Sequence, residues 1–183
     1  MIYLSRPLIL LVFLIGTAQA QKIKYVSSRS DYKLSEWLLY DSTETEIGTL
    51  NFAGLARDAF STWNFRLGES SGFIKLRWKE NKNEWDMRFD NELLSFKPTW
   101  PNQFDQWTIN QDGHNFTFKI LQTTSGIKAV LQNTSDQEIL NFDDDFDFDP
   151  RDWTIHSFDQ YNDAQAVCGT FILANYLEVL RRR

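Results

Sequence analysis

A single stretch near the C-terminus restricts the possible folds of this chain more than any other feature. Residues 166–180 read AVCGTFILANYLEVL, and on a helix, at about 100° per residue, their apolar side chains point in every direction. A helix on the surface of a domain has one apolar and one polar face, so this one must be enclosed by lipid or by protein. A bilayer requires about 20 apolar residues, and only fourteen uncharged residues separate Asp163 from Glu178. The sequence therefore predicts a helix over residues 163–180 that is buried inside the protein.

The residues before this helix form short runs in which apolar and polar side chains alternate. Residues 74–79, IKLRWK, and 85–90, WDMRFD, give the clearest alternation, which is typical of half-buried antiparallel strands. Turn residues such as Asp112-Gly113 separate the runs. About eleven or twelve such runs predict a mostly β sandwich or barrel, built as a single domain over residues 31–183.

Small residues in the predicted helix are suited to close contact with surrounding strands. Gly169 provides the least bulk, and we expect Asp163 to cap the helix N-terminus. Cys168 is the only cysteine, so it cannot form an intrachain disulfide, and it is expected to be a small buried apolar residue rather than a reactive thiol.

The first twenty residues have the features of a secretory signal peptide. Arg6 is the only charged residue, residues 8–16 are apolar, and Ala18 and Ala20 have the spacing of a cleavage site. We therefore expect cleavage after Ala20, export to a secreted or periplasmic location, and a flexible lead-in over residues 21–30. No transmembrane segment is expected in the mature chain, because the apolar run between Asp163 and Glu178 is too short to span a bilayer.

The composition argues against nucleic acid as a partner. The net charge is −6, and removal of a leader that contains Arg6 leaves 18 basic residues and a net charge of −7. An acidic surface repels phosphate groups, so neither nucleic acid nor an anionic headgroup is expected to be attracted by bulk charge.

Two segments resemble the tubby C-terminal-like fold, a group that includes tubby-like proteins, plant LURP-one-related proteins and phospholipid scramblases. Residues 38–50, LLYDSTETEIGTL, are similar to an early hairpin of that group, and residues 158–180 are similar to its closing helix. The resemblance covers about residues 31–183. It implies a barrel of about twelve antiparallel strands enclosing a hydrophobic C-terminal helix, and it implies phosphoinositide or phospholipid binding at a basic surface patch.

Two groups of residues are candidates for ligand binding. The nearest approach to a basic patch is one strand face and the turn after it, which form either a modest anion site or a solvated surface: Lys75, Arg77, Lys79 and Lys82. Exposed aromatic residues are the second group, with Trp100 and Phe104 in a loop stiffened by prolines. Trp78, Trp85 and Trp107 lie in alternating strands and are expected in the core.

The densest acidic stretch is a candidate for a calcium site. Four carboxylates alternate with other residues and would lie on one face of a strand: Asp143, Asp145, Asp147 and Asp149. Clustered carboxylates suit Ca²⁺, although the alternative is a solvated acidic edge that discourages strand pairing. The scramblase resemblance also directs attention to residues 159–163. His114 and His156 have no metal-binding spacing, and no other cofactor is expected.

These observations predict an exported, non-enzymatic binding protein of tubby-like architecture that contacts lipid or membrane. An alternative is a carbohydrate-binding module or carbohydrate-active enzyme that uses exposed tryptophans and paired acids. A lipocalin-like carrier of a small ligand is a third hypothesis, and it requires a barrel whose interior is not filled by the helix.

Overall fold

The computed structural model describes residues 23–29, 34–53, 61–81, 83–124, 126–144, 151–158 and 161–181. The predicted signal peptide, residues 1–20, lies outside the described residues. The described part contains twelve β strands followed by one α helix, α1 (Asp163–Arg181). The strands are β1 (Tyr25–Ser28), β2 (Glu36–Tyr40), β3 (Glu46–Phe52), β4 (Thr62–Leu67), β5 (Ser70–Leu76), β6 (Trp85–Phe89), β7 (Glu92–Pro98), β8 (Gln106–Gln111), β9 (His114–Gln122), β10 (Ile127–Gln132), β11 (Glu138–Asp144) and β12 (Asp152–Ser157).

The strands form one closed antiparallel barrel. Each strand pairs with its neighbours in sequence, and β1 closes the barrel by pairing with β12. Successive connections therefore alternate between the two ends. We call the end formed by the connections after β5, β7 and β9 (residues 77–81, 99–105 and 123–124) the helix-exit rim. The other end, where the chain passes from β12 into α1, is the helix-entry rim.

Helix α1 fills the interior of the barrel, as its sequence predicts. Eleven consecutive residues, Ala164–Ala174, are buried, so every direction around three turns of helix is covered. The ring of Phe171 lies 4.8 to 5.5 Å from three aromatic rings, measured between centroids. They belong to β4, β6 and β7 and are Trp63, Trp85 and Phe96.

The opposite side of α1 approaches β9 and β11 most closely at Gly169. A Cβ atom at this position would lie 2.6 Å from Cζ of Phe142 and 2.9 Å from Cε2 of Phe118. These distances are shorter than any normal carbon–carbon contact, so only glycine fits here. The neighbouring Cys168 is a free, fully buried thiol.

The N-terminus of α1 is capped by Asn162, which corrects the prediction that Asp163 is the cap. Oδ1 of Asn162 accepts a hydrogen bond from the backbone N–H of Gln165 at 3.0 Å. Oε1 of Gln165 in turn accepts a bond from the backbone N–H of Asn162 at 3.4 Å. This reciprocal pairing is a capping box. Asp163 instead accepts a hydrogen bond from the N–H of Ile23 and so links the helix to the segment before β1.

The prediction of a flexible lead-in over residues 21–30 is wrong for Tyr25–Ser28, which form β1. Val26 is buried and lies opposite Leu39 of β2 and Trp153 of β12. The strand has only four residues, too few for a periodic pattern to be visible, and its partners stabilise it from both sides. Within the described ranges, no helix combines the length and the apolar character needed to cross a bilayer.

Candidate functional site at the helix-exit rim

A cleft of about 560 Å³ opens at the helix-exit rim, between the last turns of α1 and the connection from β7 to β8. Its apolar wall is formed by Phe104, Ile120 and Leu180. Tyr176 of α1 lies opposite them, and its hydroxyl accepts a hydrogen bond from Nε2 of Gln122 at 3.3 Å. The cleft therefore combines an apolar wall with a few fixed polar groups, which is the usual composition of a small-molecule site.

Phe104 is held in the wall of this cleft rather than projecting freely. It is half-buried and packs on Trp107, with 5.9 Å between the ring centroids. Nε1 of Trp107 also donates a hydrogen bond to the carbonyl oxygen of Phe104 at 2.9 Å. The two contacts fix the loop to the wall of the barrel, so this side of the cleft is preformed.

Trp100 lies in the same loop and is 62% exposed, as the sequence predicts. The carbonyl oxygen of Trp100 accepts a hydrogen bond from the N–H of Gln103 at 3.1 Å, which closes a tight turn. A tryptophan at such a turn presents a large apolar surface to solvent, and the next residues of the same loop, 102–105, line the cleft.

Trp78 is 57% exposed, so the prediction that it belongs to the core is wrong. Strand β5 ends at Leu76, and Trp78 lies in the connection to β6, at the same rim as Trp100. The alternation of apolar and basic residues continues in the sequence beyond the point where the strand ends. Trp85 and Trp107 are buried, as predicted.

Arg77, one of the four residues of the predicted basic cluster, is paired with carboxylates. Nη2 of Arg77 lies 2.6 Å from Asp86, and Nη1 lies 3.9 Å from Glu84, so its charge is balanced. The hydrogen bond with Asp86 raises the pKa of Arg77. Lys75 and Lys79 are exposed, with Nζ of Lys75 5.3 Å from the centre of the Phe73 ring. Lys82 lies outside the described residues.

Of the four predicted calcium ligands, Asp143 lies in β11, and Asp145, Asp147 and Asp149 lie outside the described residues. Asp143 is near two basic groups, 3.9 Å from Nζ of Lys128 and 3.6 Å from Nε2 of His156. In the part of the chain that the structure describes, no three His, Cys, Asp or Glu side chains are grouped to hold a metal ion.

The structure also brings together residues that the sequence did not indicate as a site. Tyr176 and Leu180 belong to the predicted core helix, and Gln122 ends a strand fifty-four residues before Tyr176. Nothing in the sequence distinguishes them, because their proximity depends on where the helix leaves the barrel. Cys168, the only thiol, is enclosed, and burial raises its pKa, which makes it a poor nucleophile.

Comparison with known proteins gives no relative from which a function could be transferred. No protein-family model, no curated protein and no solved structure matches this chain.

Proposed function

We propose that this chain is an exported, non-enzymatic binding protein of tubby-like architecture that associates with phospholipid surfaces through its helix-exit rim. The observation that carries the proposal is the exposure of two tryptophans, Trp78 and Trp100, on separate connections at this one rim. Indole rings are favoured at the boundary between water and lipid because they combine a large apolar surface with one polar N–H group.

The arrangement of the barrel supports a ligand at the rim rather than inside. Helix α1 occupies the interior, which is the place where a lipocalin-like carrier would hold its ligand. The twelve-stranded closed barrel with its C-terminal helix is consistent with tubby-like architecture. Export rests on the predicted leader, residues 1–20, and on no feature of the barrel.

Apolar contact, rather than charge, is the proposed source of affinity. The chain is acidic overall, and the guanidinium of Arg77 is already paired with carboxylates. By contrast, Trp100 is exposed in the same loop as Phe104, which forms the apolar wall of the cleft together with Leu180. We therefore expect binding to zwitterionic phosphatidylcholine, with little dependence on salt, because screening weakens charge pairs and leaves apolar burial intact.

The first prediction tests this role of Trp100 with vesicles of phosphatidylcholine. Trp100→Ala should weaken co-flotation about tenfold, because burial of a large apolar side chain contributes about 1.5–3 kcal/mol. Phe158→Ala is the matched control: Phe158 is also 62% exposed but follows β12 at the helix-entry rim. This control variant should bind as the unmodified protein does.

Tryptophan fluorescence provides a second measurement on the same samples. Five of the seven tryptophans are buried, so acrylamide quenching reports mainly on Trp78 and Trp100. Vesicles should protect these two indoles from the quencher. Failure of the protein to float, or equal losses for Trp100→Ala and Phe158→Ala, would overturn the proposal.

A further inference from the structure

A row of polar side chains crosses the outer surface of the barrel, away from the cleft at the rim. The strand registers place Asp86, Ser95, Asn110 and Asn115 directly opposite one another on β6, β7, β8 and β9. On β6, β7 and β8 the residues on either side of these side chains are buried, and on β9 Phe116, next to Asn115, packs against the core, so the four side chains share the outer face. Because they lie on paired strands, their positions are set by the sheet rather than by loops.

This row borders a groove of about 320 Å³. Polar side chains dominate its walls, among them Arg77, Glu84, Ser95, Lys97, Asn110 and Asn115. The volume is at the lower end of the range for small-molecule sites, about 300–1,000 Å³. The groove is therefore large enough for a short segment of a polar ligand.

Hydrogen bonds between its own side chains hold the groove in a defined arrangement. Arg77 is fixed by Asp86 at 2.6 Å and donates from Nη2 to Oγ of Ser95 at 2.7 Å. Nδ2 of Asn110 donates to Oδ1 of Asn115 at 2.8 Å. A site whose polar groups are already oriented loses less conformational entropy when a ligand binds.

The pair of amides leaves one acceptor and one donor available. Among the described residues, Oδ1 of Asn110 and Nδ2 of Asn115 make no hydrogen bond in this arrangement. Each amide has both a carbonyl oxygen and an N–H₂ group, so the pair can accept one hydrogen bond and donate another. Neighbouring hydroxyl groups on a sugar ring require this combination, because each hydroxyl both donates and accepts.

The charge balance of the groove favours a neutral ligand. The positive charge of Arg77 is offset by Asp86 and Glu84, which leaves Lys97 as the cation without a nearby carboxylate in the described part of the groove. One exposed lysine is a weak basis for an anion site.

We propose that this groove binds a neutral oligosaccharide. The site lies on the outer face of β6–β9 and does not involve Trp100 or the rim cleft, so it is separate from the proposed phospholipid contact. A protein with both sites would bind a glycan on its side while its rim faces a lipid surface.

The second prediction concerns three neutral hexasaccharides, of glucose, mannose and N-acetylglucosamine. The purified protein should bind at least one of them in isothermal titration, and Asn110→Ala combined with Asn115→Ala should weaken that binding about tenfold or more, because two hydrogen bonds are lost. Production in a bacterial host keeps Asn115, which begins an Asn-Phe-Thr sequon, unmodified. Asn64→Ala is the matched control, since Asn64 is exposed on the outer face of β4 outside this groove.

Side-chain amide signals in NMR spectra of the unmodified protein give a readout that does not depend on how well the variant folds. The signals of Asn110 and Asn115 should shift on titration with the bound sugar, while the signal of Asn64 should not. The proposal is wrong if none of the three sugars binds at millimolar concentration. It is equally wrong if binding survives in the double variant or if these two amide signals stay unchanged.

Discussion

At the scale of single residues, Glu92 is a carboxylate of the helix-entry rim that connects several elements. Its Oε2 atom accepts hydrogen bonds from Nε2 of Gln111 and from Nδ2 of Asn162, each at 2.9 Å. Asn162 is also the helix cap, and Gln165 bonds to Gln111 at 3.1 Å. One carboxylate thus links the start of β7, the end of β8 and the first turn of α1.

The environment of Glu92 disfavours its ionised form. Partial burial raises the pKa of Glu92 above its ordinary value of 4.5, and the negative charges of Asp112 and Asp90 raise it further, while the hydrogen bond from Gln111 acts in the opposite direction. The folded protein therefore binds this proton more tightly than the unfolded chain. Stability from this group is fully present below pH 4.5 and is lost as the pH rises through the folded-state pKa.

The third prediction follows from this loss of stability when Glu92 ionises. Glu92→Gln keeps an oxygen that can accept both hydrogen bonds but removes the charge, so the variant should melt at a higher temperature than the unmodified protein at pH 7. The difference should shrink towards zero as the pH is lowered to 4. Thermal unfolding, followed by circular dichroism at pH 4 and at pH 7, measures this difference in melting temperature.

Glu69→Gln provides the control, because Glu69 is an exposed carboxylate in the turn after β4, at the same rim. Its melting temperature should differ little from that of the unmodified protein. A stability difference for Glu92→Gln that is the same at pH 4 and pH 7 would contradict the argument, as would a variant less stable at pH 7.

At the scale of secondary-structure elements, the alternation of apolar and polar residues predicts a strand correctly where the strand is long enough for the alternation to repeat. Residues 85–89 alternate between the core and the surface over the full length of β6. β1 has only four residues and one fully apolar contact position, Val26, so its pairing with β2 and β12 decides its structure. At Trp78 the alternation of apolar and polar residues continues after the backbone has left the sheet. The alternation alone therefore cannot show where β5 ends.

The fourth prediction tests how tightly the barrel encloses α1. Gly169→Leu places a side chain against the rings of Phe118 and Phe142, where even a Cβ atom would lie 2.6 Å from Cζ of Phe142. Leu173→Asp instead buries an unpaired charge in the same helix. Each change should cost more than about 3 kcal/mol and leave the protein unfolded.

Asn175→Leu is the control for the leucine substitution, because Asn175 is the one residue between Ala164 and Glu178 that is not buried. This variant should retain the far-ultraviolet circular dichroism spectrum and the cooperative melting of the unmodified protein. A folded Gly169→Leu variant with an unchanged melting temperature would show that the helix is not packed against β9 and β11 as described.

At the scale of the whole molecule, the sequence indicated the architecture better than it indicated the candidate sites. Residues 166–180 form a helix with apolar side chains on all sides, and such a helix must be enclosed. The closed barrel encloses it. The sites depend instead on neighbours that are distant in sequence. Asp86 and Asn115 share one row only because four strands pair in a particular register, and Tyr176 meets Gln122 only where the helix leaves the barrel.

Trp100 is an instructive exception. Pro98 is the last residue of β7, and Pro101, directly after Trp100, has no N–H group to donate, so the sequence marks Trp100 as part of a turn rather than of a strand. Exposure of its indole was therefore predictable from local chemistry alone, whereas the cleft beside it was not.

The fifth prediction uses Cys168 to report on opening of the whole barrel. The thiol lies in the second turn of α1, fully buried, and burial raises its pKa, so the reactive thiolate is scarce in the folded state. Because the described strands form a closed ring around the helix, a reagent can reach the sulfur only when strands separate or the helix leaves. A disulfide reagent such as Ellman's reagent should therefore react with the protein in concentrated guanidinium chloride but not in native buffer at pH 8.

Ser71→Cys supplies the internal standard for this measurement, since Ser71 is exposed on β5 and the substitution changes little in size. The variant should release one equivalent of the coloured product at once in native buffer and the second only on denaturation. As denaturant is added, the slow reaction of Cys168 should follow the global unfolding curve, because opening of the barrel and exposure of the thiol are the same event. Rapid labelling of Cys168 in native buffer would mean that α1 leaves the barrel without unfolding it. In that case the interior would be accessible to a ligand after all.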